Sequence, residues 1–153
     1  MTHHSSVSEV LPGLVKDILS KGAECRFQAK GHSMSPFIKD GDIVTISPLT
    51  NSSPGLGDVV AFNHSENEKL IIHRVVEKRD NDYYVRGDNV PETDGLVQAK
   101  DILGYVNKVE RDGKNVRVGL GPERFLIAFL NRKGLLRPLL SPIRKIIRSF
   151  IRP

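Results

Sequence analysis

The sequence predicts a mainly β, antiparallel body with a short N-terminal helix and basic amphipathic C-terminal helices. Three observations carry this. Between Cys25 and Val118 the apolar residues come in short runs rich in β-branched and aromatic side chains, each bounded by turn formers. Before them, Val10, Leu11, Leu14, Val15, Ile18 and Leu19 recur at helical spacing. After residue 122 the period changes back to a helical one, and acidic residues vanish from Arg124 onward.

Taken in order, Ser6 or Ser8 could cap the first helix, with Glu9 in its first turn, and Gly22 follows as a stop. This helix either packs on the body or touches a membrane surface. Strands are expected at 25–29, 42–47, 59–62, 70–78, 83–86, 102–110 and 116–118. Asp80-Asn81-Asp82 and Asp112-Gly113 read as hairpin turns, and Pro48 to Gly57 as a surface loop. The expected division is an N-terminal helix at 1–22, a body at 23–121 and a helical tail at 122–153.

A chain of 153 residues suits one core-bearing domain. The single cysteine, Cys25, excludes an internal disulfide and a multi-cysteine metal site, and reads as a small buried side chain. The charge is unevenly placed. Residues 124–153 hold eight basic side chains and no acidic one, leaving 15 basic against 18 acidic side chains in residues 1–123. A mildly acidic body argues against nucleic acid as partner, and the tail has a separate task.

That tail carries three apolar stripes: Phe125, Leu126, Phe129 and Leu130; Leu135, Leu136, Leu139 and Leu140; Ile143, Ile146, Ile147, Phe150 and Ile151. Gly134, Pro138 and Pro142 break it into short pieces. Such a segment suits an anionic membrane surface, with its apolar face in the interface and its basic residues at the headgroups. A lid folded back on the body and an acidic partner protein are the alternatives. Met1 to Ser8 lacks an apolar signal core, and no window approaches the ~20 apolar residues that span a bilayer. The expectation is a peripheral membrane or cytoplasmic protein.

The chemistry concentrates in Gly31-His32-Ser33-Met34-Ser35-Pro36. Gly31 permits unusual backbone angles and Pro36 restricts Ser35, so the segment is a stiff loop presenting Ser33. By itself it reads equally as a polar turn. Three later segments bear on it: Gly57-Asp58-Val59-Val60-Ala61-Phe62, Ile72-His73-Arg74-Val75-Val76, and Arg86-Gly87-Asp88-Asn89 followed by Asp94. In that order, from about Gly31 to Val109, the boxes resemble those of the type I signal peptidase family and its wider clan, which also contains the self-cleaving repressors of the bacterial DNA-damage response.

The resemblance implies that Ser33, on the Ser-Met-x-Pro box, is the nucleophile, with Ser35 on the variable position. A serine hydroxyl needs a base at neutral pH. Where bacterial members carry lysine this chain has His73, resembling the histidine form of endoplasmic-reticulum and archaeal signal peptidases. Taken alone, a strand histidine is usually structural. A histidine base needs a carboxylate to fix its tautomer. The resemblance favours Asp94 for that role and leaves Asp88 as a brace, a second carboxylate, or an Asx-type turn residue. Gly31, Met34 and Pro36 are the expected substrate-binding positions, Met34 either lining an apolar cleft or packing in the core. The Ser33 N–H is the first oxyanion donor; many bacterial relatives add a hydroxyl where this chain has Gly31.

Gly41-Asp42 and Gly57-Asp58 are expected to shape the fold. No cofactor is implied: His3, His4, His32, His64 and His73 lack ligand spacing, and no glycine-rich nucleotide loop occurs. The expected activity is a serine endopeptidase cutting an extended signal or leader peptide of a precursor protein, which adds as a strand beside Ser33. The alternatives are a non-catalytic peptide-binding or membrane-associated module and a self-cleaving regulator. About 30 residues before Ser33 are too few for a helix-turn-helix domain, which counts against the regulator. Oligomeric state is not legible.

Overall fold

The computed structural model describes residues 4–64 and 69–142. His3 and the third apolar stripe of the tail (residues 143–151) lie outside them. Helix α1 (His4–Ser20) leads into strands β1 (Cys25–Gln28), β2 (Ile43–Pro48), β3 (Val59–His64), β4 (Lys69–Arg79), β5 (Asp82–Arg86), β6 (Leu96–Gln98), β7 (Ile102–Arg111) and β8 (Lys114–Asn115), and then helix α2 (Arg124–Arg132). A further helical stretch occupies 136–142. The fold is mainly antiparallel β, as the sequence predicts. All pairings are antiparallel, in the order β1-β2-β7-β3-β4-β5-β6, with β8 on β7.

The sheet's centre is buried on both faces. In β3, Val59 and Ala61 enter one core cluster while Val60 and Phe62 enter another, so the alternation of side chains turns one continuous apolar run into two packing surfaces. Register shifts at Thr45/Ile46, Ala61/Phe62 and Val75/Glu77 are where the ladder bends, and they curl the sheet into a half-barrel. Helix α1 contributes Val15 and Leu19 to the first cluster. It ends in a Schellman arrangement: Gly22 (φ 78°) donates to Leu19 O at 3.0 Å and Ala23 to Ile18 O at 3.3 Å. It begins at His4, so Ser6 and Ser8, expected as caps, fall inside it.

One further expectation is corrected, and two features are added. β8 covers Lys114–Asn115 rather than 116–118, and Val118 is exposed. The three-residue β6 was not legible, since only Val97 of it is buried. In α2, the side chains that face the body are Ile127, Ala128 and Asn131, whereas Phe125, Leu126 and Phe129, the more hydrophobic stripe, face outward. Leu136 is buried as well. Among the described residues no helix is long and apolar enough to cross a membrane.

Candidate active site

Ser33 lies in the loop that follows β1, and that loop is pinned at both ends. Ala29 N–H donates to Asp42 O at 2.7 Å and Gly41 N–H returns to Ala29 O at 2.9 Å. Gly31, at φ +90°, donates its N–H to Asp40 Oδ1 at 2.8 Å. Met34 and Ile38 are buried and anchor the turn between them, with Phe37 and Ile38 N–H both donating to Met34 O. Ser33 itself is half-buried, and the Ser35–Pro36 bond is cis. Asp42 locks the exit: it accepts from Lys39 N–H and, through both oxygens, from Arg111 at 2.8 and 2.7 Å. Burial alone pushes the Asp42 carboxyl up, but the Arg111 guanidinium and the Lys39 N–H outweigh it and hold the group below the usual carboxylate range.

His73 and Arg74 are neighbours on β4, so their side chains leave opposite faces of the strand. His73 is 7% exposed, packs edge-on against Phe62, and donates from Nδ1 to the Asp94 carboxylate. The route to Asp94 follows from register. Arg74 pairs with Arg86, and beyond Tyr84↔Leu96 the β5–β6 ladder continues with Asp94 N–H donating to Val85 O at 3.1 Å. Asp94 thus stands two strands from His73, across β5, and meets it on the same side of the sheet.

On the other face Arg74 is fully buried. Its Nε and Nη2 donate to Asp88 at 2.8–3.1 Å, and its Nη1 donates to Gly57 O at 2.9 Å and Gly119 O at 2.8 Å. Asn131 of α2 donates to Asp88 Oδ1 at 2.9 Å. Asp88, one of the expected catalytic residues, therefore does not reach His73. Its oxygens are occupied by Arg74 and Asn131, and it braces the sheet against α2.

The Gly87-Asp88-Asn89 turn joins these two faces to the Ser33 loop. Asn89 N–H donates to Ser33 O at 2.8 Å, Asn89 Nδ2 to His32 O at 2.9 Å, and Asp88 N–H to Met34 Sδ at 3.4 Å. Gly87 is the point of closest approach. A Cβ there would lie 2.7 Å from Ser33 O and 2.9 Å from His73 Nε2, so only glycine lets the serine loop and the imidazole meet. No hydrogen bond joins Ser33 Oγ to His73 among the described residues, a looseness common before substrate binds. Nor does the Ser33 N–H have an acceptor among them.

A cleft of about 780 Å³ opens over Ser33 and His73, lined by Phe27, Ala29, Met34, Ile38, Leu70 and Ile72 together with Gly31. Its two walls are strand edges with no partner strand among the described residues: β1 pairs there with β2, and β5 covers β4 from Arg74 onward, leaving the outer edge of 69–73 without one. Met34 is both core and cleft lining. Pro36, expected at the substrate, is not part of that lining. A groove of about 770 Å³ around Glu24, Arg26, Asn107 and Glu110 holds none of the three candidate catalytic groups.

Sequence reasoning missed Arg74, Asn89 and Asn131. Arg74 had a signal, an arginine inside the apolar run Leu70 to Val76; Asn131 had none beyond its place among leucines. No group of three or more His, Cys, Asp or Glu able to hold a metal occurs among the described residues. Compared with known protein families, residues 6–106 match the profile described as Peptidase S24-like, a span that includes Ser33, His73, Asp88 and Asp94. No curated protein matches the chain.

Proposed function

The chain belongs to the Peptidase S24-like family, and on that premise we propose that it is a serine endopeptidase of the signal-peptidase type with a Ser33–His73–Asp94 site. Family membership puts it among serine peptidases and self-cleaving regulators of one clan. The finer reading, a histidine-type enzyme acting on an extended leader of a precursor protein, rests on one observation: His73 turns Nδ1 to the Asp94 carboxylate and Nε2 to Gly87, where the Ser33 carbonyl also arrives.

The steps follow from that arrangement. Asp94 holds the proton on Nδ1, so Nε2 is free to accept the Ser33 Oγ proton as Oγ attacks the scissile carbonyl. The Ser33 N–H is available for the developing oxyanion. With glycine at residue 31, a second donor comes from backbone or substrate. Collapse passes the proton from Nε2 to the leaving amine and leaves an ester on Ser33, which water hydrolyses with His73 again as base. The peptide would lie as a strand between the open edges of β1 and β4, its alternate side chains entering the apolar lining.

The test is serine-directed covalent labelling, alongside cleavage of a small-residue peptide library, read by mass spectrometry for the wild type, Ser33→Ala and His73→Ala. We expect an adduct on Ser33, none in Ser33→Ala, and a rate at least ~10³-fold lower in His73→Ala. A wild type that stays unlabelled and cuts nothing, with vesicles present, would make the chain a binding module. An adduct on Ser35 would move the nucleophile.

A further inference from the structure

The outer face of the C-terminal helices is apolar and has no use in the site. Nine large apolar side chains are exposed among the described residues, and five of them, Phe125, Leu126, Phe129, Leu135 and Leu139, fall within one 15-residue stretch. Scattered singly they would mean nothing; gathered on one segment they mark a contact surface. The body cannot be what covers them, because α2 already packs against it through Ile127, Ala128 and Asn131, and the stretch after it through Leu136.

The cations sort by face in the same way. Arg124 and Arg132, at the seam, pair with body carboxylates, Asp58 at 3.4 Å and Glu77 at 3.2 Å. Lys133 and Arg137 are exposed with no carboxylate partner among the described residues; the Lys133 ammonium lies over the outward Phe129 ring at 5.9 Å, and Arg137, which also borders a small cavity beside Asn131 and Leu136, extends from the seam to solvent. Long basic side chains interleaved with outward Phe and Leu are suited to an interface in which the rings and leucines enter and the cations rise to an anionic layer. Residues 124–153 contain no acidic side chain that such a layer would repel. None of the five residues lines the cleft over Ser33 or the groove around Glu24.

We propose that the outer face of residues 125–139 docks the protein on an anionic lipid surface, with Phe125, Leu126, Phe129, Leu135 and Leu139 as the inserted residues and Lys133 and Arg137 as headgroup contacts. This goes beyond the peptidase reading and does not depend on it, so Ser33→Ala should bind as the wild type does.

The experiment is flotation of the full chain with phosphatidylcholine vesicles and with vesicles one-third phosphatidylglycerol. Leu126→Ser/Phe129→Ser and Lys133→Glu/Arg137→Glu are compared with the wild type, and melting curves verify that the exposed substitutions leave the fold intact. The wild type is expected to float only with the anionic vesicles, and each double variant to lose at least ~10-fold in partitioning, the charge pair through two headgroup contacts. A wild type left at the bottom of the gradient overturns the proposal. So does undiminished flotation of the Leu126/Phe129 variant, which would put the contact elsewhere in the chain. Retention on polyglutamate without flotation would assign the face to an acidic protein. A wild-type dimer made monomeric by the apolar pair would assign it to a second copy.

Discussion

Asp88 and Asp94 are separated by six positions and have opposite tasks, and replacing each in turn should separate stability from chemistry. Asp88 is 1% exposed and Arg74 0%, and the pair is closed by three Arg74–Asp88 bonds and one from Asn131. Asp88→Ala leaves the guanidinium buried with only the carbonyls of Gly57 and Gly119, and leaves Asn131 Nδ2 with only its 3.3 Å bond to Arg86 O. Breaking a buried pair from one side costs about 3–5 kcal/mol. For a chain of this length that is a fall in Tm of roughly 10–20 °C. Asp94→Asn keeps the size and a hydrogen bond to His73, so its Tm should stay within about 3 °C of wild type. It presents the wrong group to Nδ1, however, and holds the imidazole in the wrong tautomer. A loss of about 10⁴-fold in Ser33 labelling or peptide cleavage follows. Scanning calorimetry gives the first quantity and labelling kinetics the second. An Asp88→Ala protein that melts like wild type but is dead, or an Asp94→Asn protein that keeps a tenth of its activity, would refute the assignment of the two carboxylates.

Two further predictions come from the same geometry. Gly87→Ala drives a methyl into Ser33 O and His73 Nε2, so it should cost about 1–3 kcal/mol and abolish labelling, measured on the folded fraction; normal labelling would mean that the loop and the imidazole do not meet there. The second concerns acid. Because the folded-state Asp42 carboxyl is held below its ordinary range, the stability it contributes is complete above the unfolded value and is lost as pH falls through the folded one. The Tm advantage of wild type over Asp42→Asn should therefore shrink between about pH 5 and pH 2; an advantage constant across that range would show that Asp42 does not titrate with folding.

Most of the sheet was legible because its strands obey local rules. Asp112 (φ 53°) and Gly113 (φ 75°) make a two-residue turn with both angles positive, which is what an Asp-Gly pair between apolar runs indicates. Failures came where tertiary context decided. β6 buries one residue of three, too few to leave a period. In α2 the sequence left open whether its apolar stripe meets the body or a membrane surface; the body takes Ile127, Ala128 and Asn131, and Phe125, Leu126 and Phe129 are left outward. Of the site, His73 reads as a candidate base in search of a carboxylate and the resemblance favours Asp94, but the physical reason lies in the alternation at His73-Arg74 and the β5 register together. No single motif contains that information. Arg74 stood in plain view as a charge in an apolar strand, and a buried charge demands a partner; that demand is what consumes Asp88.

The same strand-level logic bears on whether the cleft serves another chain or this one. A self-cleaving regulator must lay a segment of its own chain across the nucleophile. Helix α1, upstream of the site, is held down by Val15 and Leu19 in the core, and withdrawing each would cost about 1.5–3 kcal/mol. Downstream, the Gly87 to Asp94 segment clamps Ser33 O and carries the carboxylate to His73, so moving it would dismantle the site it was meant to reach. The loop 29–42 is tied by Asp40 and by Asp42 with Arg111. What is left unspent at the cleft is backbone: the outer edge of β1 and the first residues of β4. Two open edges flanking an apolar floor have hydrogen-bonding groups to satisfy and no described segment of this chain to satisfy them, and an extended peptide from a second protein would supply that complement on both sides.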